Sequence, residues 1–150
     1  MVFQTVMDGT NDVAFRAIRN STTGTSTVTL AAGVPIILET ATASANGGWA
    51  RAALTSTAVD NNLYIGNLHA ALAADSVGLV QAYGVDTDAI VATAGASVGA
   101  VLIPNVGTFV TVAGSQTSCT PGITWAKQVV VLVAPSGAAQ AATSVFVQAL

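Results

Sequence analysis

Short runs of small and β-branched apolar residues recur along this chain at intervals of roughly ten residues, with Gly, Pro or Asn clusters between them. The strongest run, Val129–Val133, is followed by Pro135, and residues 107–112 intersperse Thr with Phe and Val. β-Branched residues pack well on the pleated surface of a sheet. Many short strands joined by Gly and Pro turns are typical of a sandwich or a barrel. The sequence therefore predicts an all-β, mainly antiparallel sandwich or barrel.

The distribution of these runs predicts one domain over residues 1–150. Residues 63–150 contain the dense runs, and we expect them to form the main β body. Residues 1–30 are polar, and their isolated apolar side chains are too sparse to build a core. We expect this segment to be an extended N-terminal arm that grips a neighbouring subunit, and the alternative is that it completes its own sheet. The candidate interface residues are Phe3, Phe15 and Ile18.

Two details of the middle of the chain bear on function. The Ala-rich segment 69–74 predicts either one helical turn or a loop. Val77–Gly84 and Ala89–Thr93 predict two separate strands, with Asp86–Asp88 as a polar hairpin connection between them. The two aspartates could offer oxygens to Ca²⁺, but the downstream Gly and Glu of an EF-hand loop are missing.

The scarcity of charge limits the classes of function. Charged residues make up 7 % of the chain, against about 25 % in an ordinary soluble domain. A lone soluble protein normally keeps a mixed, charged surface. Either the surface here is neutral but polar, or partners cover much of it, and we favour the covered surface. Both alternatives fit a subunit of a larger assembly.

Charge and motifs also exclude several partners. A net charge of −3 argues against nucleic acid, because phosphate binding needs clustered Lys or Arg. The longest uninterrupted apolar run, Val129–Pro135, is far shorter than the roughly 18 residues of a membrane helix. We expect no secretory signal, because no basic segment leads into an apolar stretch at the start. Cys119 has no second cysteine to pair with, which fits a reducing cytoplasm, and the sequon at Asn20 is then a chance match.

Catalytic and metal-binding patterns are weak. His69, Asp75 and Ser76 lie close in sequence, but no Gly-x-Ser-x-Gly elbow accompanies them. With one His and one Cys, a zinc site would need carboxylates for its other ligands. Glu39 is the sole Glu and has no carboxylate neighbour in the sequence. We therefore predict a protein that is not an enzyme and that holds no metal and no cofactor.

One stretch carries a resemblance to a known family. Asp75–Gly84 reads Asp-Ser-Val-Gly-Leu-Val-Gln-Ala-Tyr-Gly, which resembles a Gly-flanked Leu-Val-Gln strand of small tailed-bacteriophage capsid proteins. In those proteins an Ala- and Val-rich strand, a Gly turn and a Val-Leu-Ile-Pro strand follow, and here Asp88–Ala92 and Gly99–Pro104 follow in that order. The closing strand Thr143–Leu150 is also similar. The resemblance covers residues 63–111 and the closing strand, and its family is that of the capsid decoration, or cement, proteins.

The resemblance implies a structural virion protein that binds between capsomers and stabilises a phage capsid. Its partners would be the major capsid protein and copies of itself, and its location the capsid surface after assembly in the host cytoplasm. Two alternatives stay open. One is another β-sandwich virion component, such as a tail, fibre or minor shell subunit. The other is a carbohydrate-binding or adhesive module, for which Trp49 with Asn46 and Arg51 would be the sugar-binding group.

Overall fold

The computed structural model describes residues 3–7, 12–20, 29–38, 49–52, 64–92, 96–105, 107–111, 128–136 and 140–149. This part of the chain contains strands and no helix, so the predicted all-β class is confirmed. The strands are β1 (Phe3–Met7), β2 (Asp12–Asn20), β3 (Pro35–Leu38), β4 (Trp49–Ala52), β5 (Tyr64–Leu68), β6 (Val77–Ala92), β7 (Val101–Asn105), β8 (Thr108–Thr111), β9 (Gln128–Val131) and β10 (Gln140–Gln148).

The strand pairings close into two five-strand circuits that share β6. The first circuit runs β2-β4-β3-β5-β6 and returns to β2, and the second runs β6-β10-β9-β7-β8 and returns to β6. Apart from the β2–β4 and β6–β8 pairs, the neighbouring strands are antiparallel. Strand β1 pairs with β2 from outside the circuits. The architecture is therefore a closed barrel with further strands bonded to it.

Strand β6 is shared because its two halves have different neighbours. Residues 77–83 pair with β2, while residues 83–92 pair with β10. The two predicted strands are thus one continuous strand, and the predicted hairpin at Asp86–Asp88 is wrong. The β10 register shifts between Thr143 and Val145, so the polar residues form an irregularity within the strand and not a turn. A strand can carry such a bulge without reversing direction.

Gly84 occupies the change of neighbours in β6. Its φ is +102°, and a Cβ there would lie 2.5 Å from the carbonyl oxygen of Asp12. A side chain at this position would strain the backbone and collide with β2. Glycine thus lets β2 begin close against the point where the partner of β6 changes to β10.

Each circuit has its own apolar core, and β3 supplies both. Ile36 packs in the first core and its neighbour Ile37 packs in the second, because successive side chains of a strand point to opposite faces. The first core contains Ile18, Leu30, Val34, Ile36, Ile65, Leu68, Leu72 and Val80. The second contains Ile37, Tyr64, Ala89, Val91, Ala96, Ala100, Leu102, Phe109, Val129, Val131, Val145, Val147 and Ala149. The sheet of β3 and β5 is therefore shared by the two cores.

The expectation of an extended N-terminal arm is wrong. β2 pairs with β6 over six residue pairs, from Ala14 with Tyr83 to Arg19 with Val77. Ile18 is buried in the first core, so one apolar side chain on the inner face of β2 is enough to anchor it. The body is also not limited to residues 63–150, because β2, β3 and β4 complete the first circuit. The segment completes its own sheet, which was the alternative for this region.

Candidate attachment surfaces

An apolar strip covers the outer side of the first circuit where β2 and β6 pair. Ala17 lies opposite Leu79 in the register, and the Phe15 ring contacts the His69 ring edge-on at a centroid distance of 5.0 Å. Val77 is 70 % exposed and Leu79 is 38 % exposed, so two large apolar side chains of this strand face solvent close together. We call Phe15, Ala17, His69, Val77 and Leu79 the β2–β6 face.

One ion pair borders the β2–β6 face. The Arg19 guanidinium lies 2.6 Å from the Asp75 carboxylate, and both side chains are about half exposed. Asp75 has a φ of 59°, which turns the chain into β6 directly after it. Because the two charges neutralise each other, the border adds little net charge to the apolar strip. An exposed pair of this kind contributes at most about 1 kcal/mol to stability.

The loop behind this border is held by a buried amide. Asn20 ends β2, and its Nδ2 donates hydrogen bonds to the carbonyl oxygens of Leu72 and Ala73 at 3.3 and 3.1 Å. Its backbone N–H donates to the oxygen of Ser76. These bonds fix the segment that carries His69 and Asp75 against β2. The β2–β6 face is therefore a fixed surface. The same bonds bury the Asn20 side chain, so it is not accessible for N-glycosylation at the sequon that begins there.

A second group of exposed apolar residues lies on the second circuit. Val98 is 65 % exposed, Val133 is 55 % exposed and Leu132 is 40 % exposed. The N–H of Gly99 donates to the oxygen of Val131, which brings the Val98 turn beside the end of β9. The N–H groups of residues 132 and 133 both donate to the oxygen of Ser144 in β10. We call Val98, Leu132 and Val133 the barrel-end patch.

A buried polar chain connects the two circuits. The Tyr64 hydroxyl donates to Oδ1 of Asn67 at 2.6 Å, and Nδ2 of Asn67 donates to Oδ2 of Asp86 at 2.7 Å. The other Asp86 oxygen accepts the N–H of Asp88 at 2.9 Å. Burial, followed by the Asp86 charge, raises the pKa of Tyr64 well above its ordinary value. Because its pKa is raised, the phenol stays neutral and can donate the hydrogen bond to Asn67. Its ring packs edge-on against Phe109 in the second core.

The residues considered for catalysis have other partners. The His69 ring packs on Phe15, and Asp75 pairs with Arg19. The Ser76 hydroxyl donates to the carbonyl oxygen of Ala74. Across the described ranges, no three His, Cys, Asp or Glu side chains group closely enough to hold a metal ion. No helix in the same ranges is long and apolar enough to cross a membrane.

The predicted interface residues separate in the structure. Phe15 is half-buried on the β2–β6 face, whereas Ile18 is 4 % exposed and lies in the first core. Phe3 lies in β1, where its backbone pairs with Arg16, and its side chain is outside the described part. The sugar-site hypothesis rests on residue 46 and on the side chains of residues 49 and 51, which lie outside the described part, as does Cys119.

Comparison of the chain with protein-family models, curated proteins and solved structures finds no match. The two surfaces are therefore interpreted from their own chemistry. Sequence reasoning named Phe15 as a candidate interface residue but missed Val77, Leu79 and Val133, because these three look like core residues of apolar runs. One signal was present: a strand with apolar residues on both faces of a sheet needs a cover on each face.

Proposed function

We propose that this chain is a structural virion protein that decorates a phage capsid and stabilises it by binding between capsomers. The observation that supports this most is the β2–β6 face, an apolar strip on a hydrogen-bonded sheet with neutralised charges at its border. Exposed contiguous apolar surface marks sites of protein interaction. The resemblance of Asp75–Gly84 to capsid decoration proteins falls on the strand that supplies Val77 and Leu79.

The physical chemistry of the chain suits attachment to a protein shell. A sheet face keeps its shape on binding, so that little ordering entropy is lost when it meets a flat partner. Val77 and Leu79 would be desolvated against the shell, and the edge-on ring pair of Phe15 and His69 would add aromatic contact area. The shell repeats the same site, so an assembly of several linked copies of this chain would bind it more tightly than a single copy does.

The proposal is tested by adding purified protein to parent capsids that lack it and measuring the number of bound copies per particle. The variant Val77→Lys places a charge in the β2–β6 face, and we expect its affinity to fall at least about tenfold. Thr87→Lys is the matched control, because Thr87 is an exposed residue of the same strand outside both surfaces. It should bind like the wild type.

Two results contradict the proposal. The first is that the wild-type protein does not bind capsids, and binding to isolated tails or fibres instead would favour the other virion component. The second is that Val77→Lys binds capsids as tightly as Thr87→Lys. Circular dichroism of each variant confirms that the barrel is intact before binding is measured.

A further inference from the structure

A buried amide lies beside the β2–β6 face. Gln81 shares the outer side of β6 with Val77 and Leu79, because alternate residues of a strand point to the same side. Those two neighbours are exposed, whereas the Gln81 side chain is only 4 % exposed. Within the described part of the chain, the buried Nε2 of Gln81 has no hydrogen-bond partner. The fold therefore buries a hydrogen-bond donor at this surface without satisfying it.

The cross-strand neighbours of Gln81 explain why its amide lacks an acceptor. Gln81 lies opposite Phe15 of β2 on one side and opposite Asn67 of β5 on the other. The Phe15 side chain has no oxygen to offer. The Asn67 amide is engaged elsewhere, since it accepts the Tyr64 hydroxyl and donates to Asp86. An acceptor for Nε2 has to come from a different group.

The ring pair of Phe15 and His69 lies next to this amide. The backbone N–H of His69 donates to the oxygen of Leu79, so His69 flanks β6 on the side of β5, and Phe15 flanks it on the side of β2. The two rings meet with a centroid distance of 5.0 Å, so they bridge β6 at the level of Leu79 and Gln81. His69 is exposed, and exposed side chains change rotamer within nanoseconds. The bridge can therefore open without any movement of the sheet.

We infer that Gln81 donates a hydrogen bond to a main-chain carbonyl oxygen of the protein that docks on the β2–β6 face, once the His69 ring turns aside. This inference rests on the proposed function and adds to it the residue that selects the partner. An unsatisfied buried donor destabilises the free protein, and natural proteins keep such faults chiefly where function needs them. Docking satisfies the donor, and a partner without an acceptor at this point leaves it unpaired.

The chemistry of the face favours a neutral acceptor. Nε2 of a glutamine is a donor only, so the partner group has to be an oxygen with a free lone pair. The charges at the border of the face, Arg19 and Asp75, already neutralise each other. A partner carboxylate would lose its hydration against one neutral amide, which is costly, whereas a carbonyl oxygen loses far less. The net charge of −3 also opposes an acidic partner group.

The variant Gln81→Met tests the inference, because methionine has a similar length and no donor. Urea unfolding of the free variant should give a midpoint equal to or above that of the wild type, since an unpaired donor is removed. Its dissociation constant for parent capsids that lack the protein should nevertheless rise at least about fivefold, since the partner oxygen loses its donor. Gln140→Met is the matched control, because Gln140 is exposed on β10 opposite Ala92, and it should bind like the wild type.

Gln81→Leu repeats the test with a different apolar shape, so that a packing defect of one variant is recognised. The inference is overturned if both variants are less stable than the wild type, because the amide is then satisfied in the free protein, as by a buried water. It is also overturned if a stable Gln81 variant binds capsids as tightly as Gln140→Met. Weakened binding of Val77→Lys beside unchanged binding of Gln81→Met would overturn this inference and leave the proposed function standing. A wild type that does not bind capsids would contradict both.

Discussion

At the scale of single residues, the close approach of β5 to β6 depends on Gly66. Its φ is +133°, and a Cβ at this position would lie 2.1 Å from the carbonyl oxygen of Gln81. Both the backbone conformation and the space exclude a side chain there. Gly107 makes a useful comparison, because its φ is +61° and, among the described residues beyond its chain neighbours, no heavy atom lies within 4 Å of the place that a Cβ would occupy.

We therefore predict that Gly66→Ala destabilises the protein much more than Gly107→Ala. Gly107→Ala should lower the free energy of unfolding by about 1 kcal/mol, the cost of a left-handed conformation for an L-residue. Gly66→Ala adds a backbone collision and should cost at least about 3 kcal/mol, or prevent folding. Urea unfolding measures both values. Equal losses of stability for the two variants would contradict the claim that Gly66 is needed for the close approach of β5 to β6.

Tyr64 leads to a prediction about alkaline pH. Its pKa is raised well above 10.0 in the folded chain by burial and by Asp86. The unfolded chain releases the phenol proton near pH 10, whereas the folded chain retains it. The contribution of this group is therefore fully present below pH 10 and is lost as the pH rises above it, by up to about 1.4 kcal/mol per pH unit.

The variant Tyr64→Phe isolates this contribution. At pH 8 it should lower the free energy of unfolding by about 1–3 kcal/mol, because the buried Oδ1 of Asn67 loses the phenol donor. Between pH 9.5 and 11 the variant should lose less stability than the wild type. Parallel losses in the two proteins, measured by urea unfolding at each pH, would mean that the Tyr64 phenol is not kept neutral by the fold.

At the scale of elements, β6 shows where sequence patterns stop being informative. Its apolar residues and the Asp86–Asp88 interruption look like two strands and a turn, because local sequence carries no record of the strands that will pair on either side. The polar interruption is explained by a partner distant in sequence, since Asn67 of β5 binds the Asp86 carboxylate. Strand positions in the apolar runs were predictable, and the continuity of β6 was not.

We predict that Asp86→Ala weakens the connection between β5 and β6. Asn67 is fully buried, and the substitution removes the acceptor of its Nδ2 group, which should cost about 1–3 kcal/mol in the free energy of unfolding. Asp88→Ala is the control, because the Asp88 side chain is exposed and its change should stay within about 0.5 kcal/mol. Chemical denaturation of both variants decides the matter, and an unaffected Asp86→Ala would show that water replaces the carboxylate.

At the scale of the whole molecule, composition predicted more than motifs did. The runs of Ala, Val and Thr predicted the all-β class, which the strands confirm, whereas the covered surface expected from the low charge stays a prediction. The N-terminal segment was misread because β2 has one fully buried apolar residue, Ile18, and gains its place through backbone pairing with β6. The exposure of Val77 and Val133 was not predictable, because it depends on which side of the barrel each side chain occupies. The alternation of side chains along a strand separates its two faces but does not say which of them points outward.

The most direct test of the proposed function is a cryo-electron microscopy reconstruction of the parent particle at a resolution that separates strands. Our account predicts density for a barrel of two circuits on the outer shell, with the β2–β6 face against the major capsid protein. Val77 and Leu79 should be covered by the shell. A particle whose shell lacks this density, or a bound barrel that keeps Val77 and Leu79 in solvent, would contradict the account.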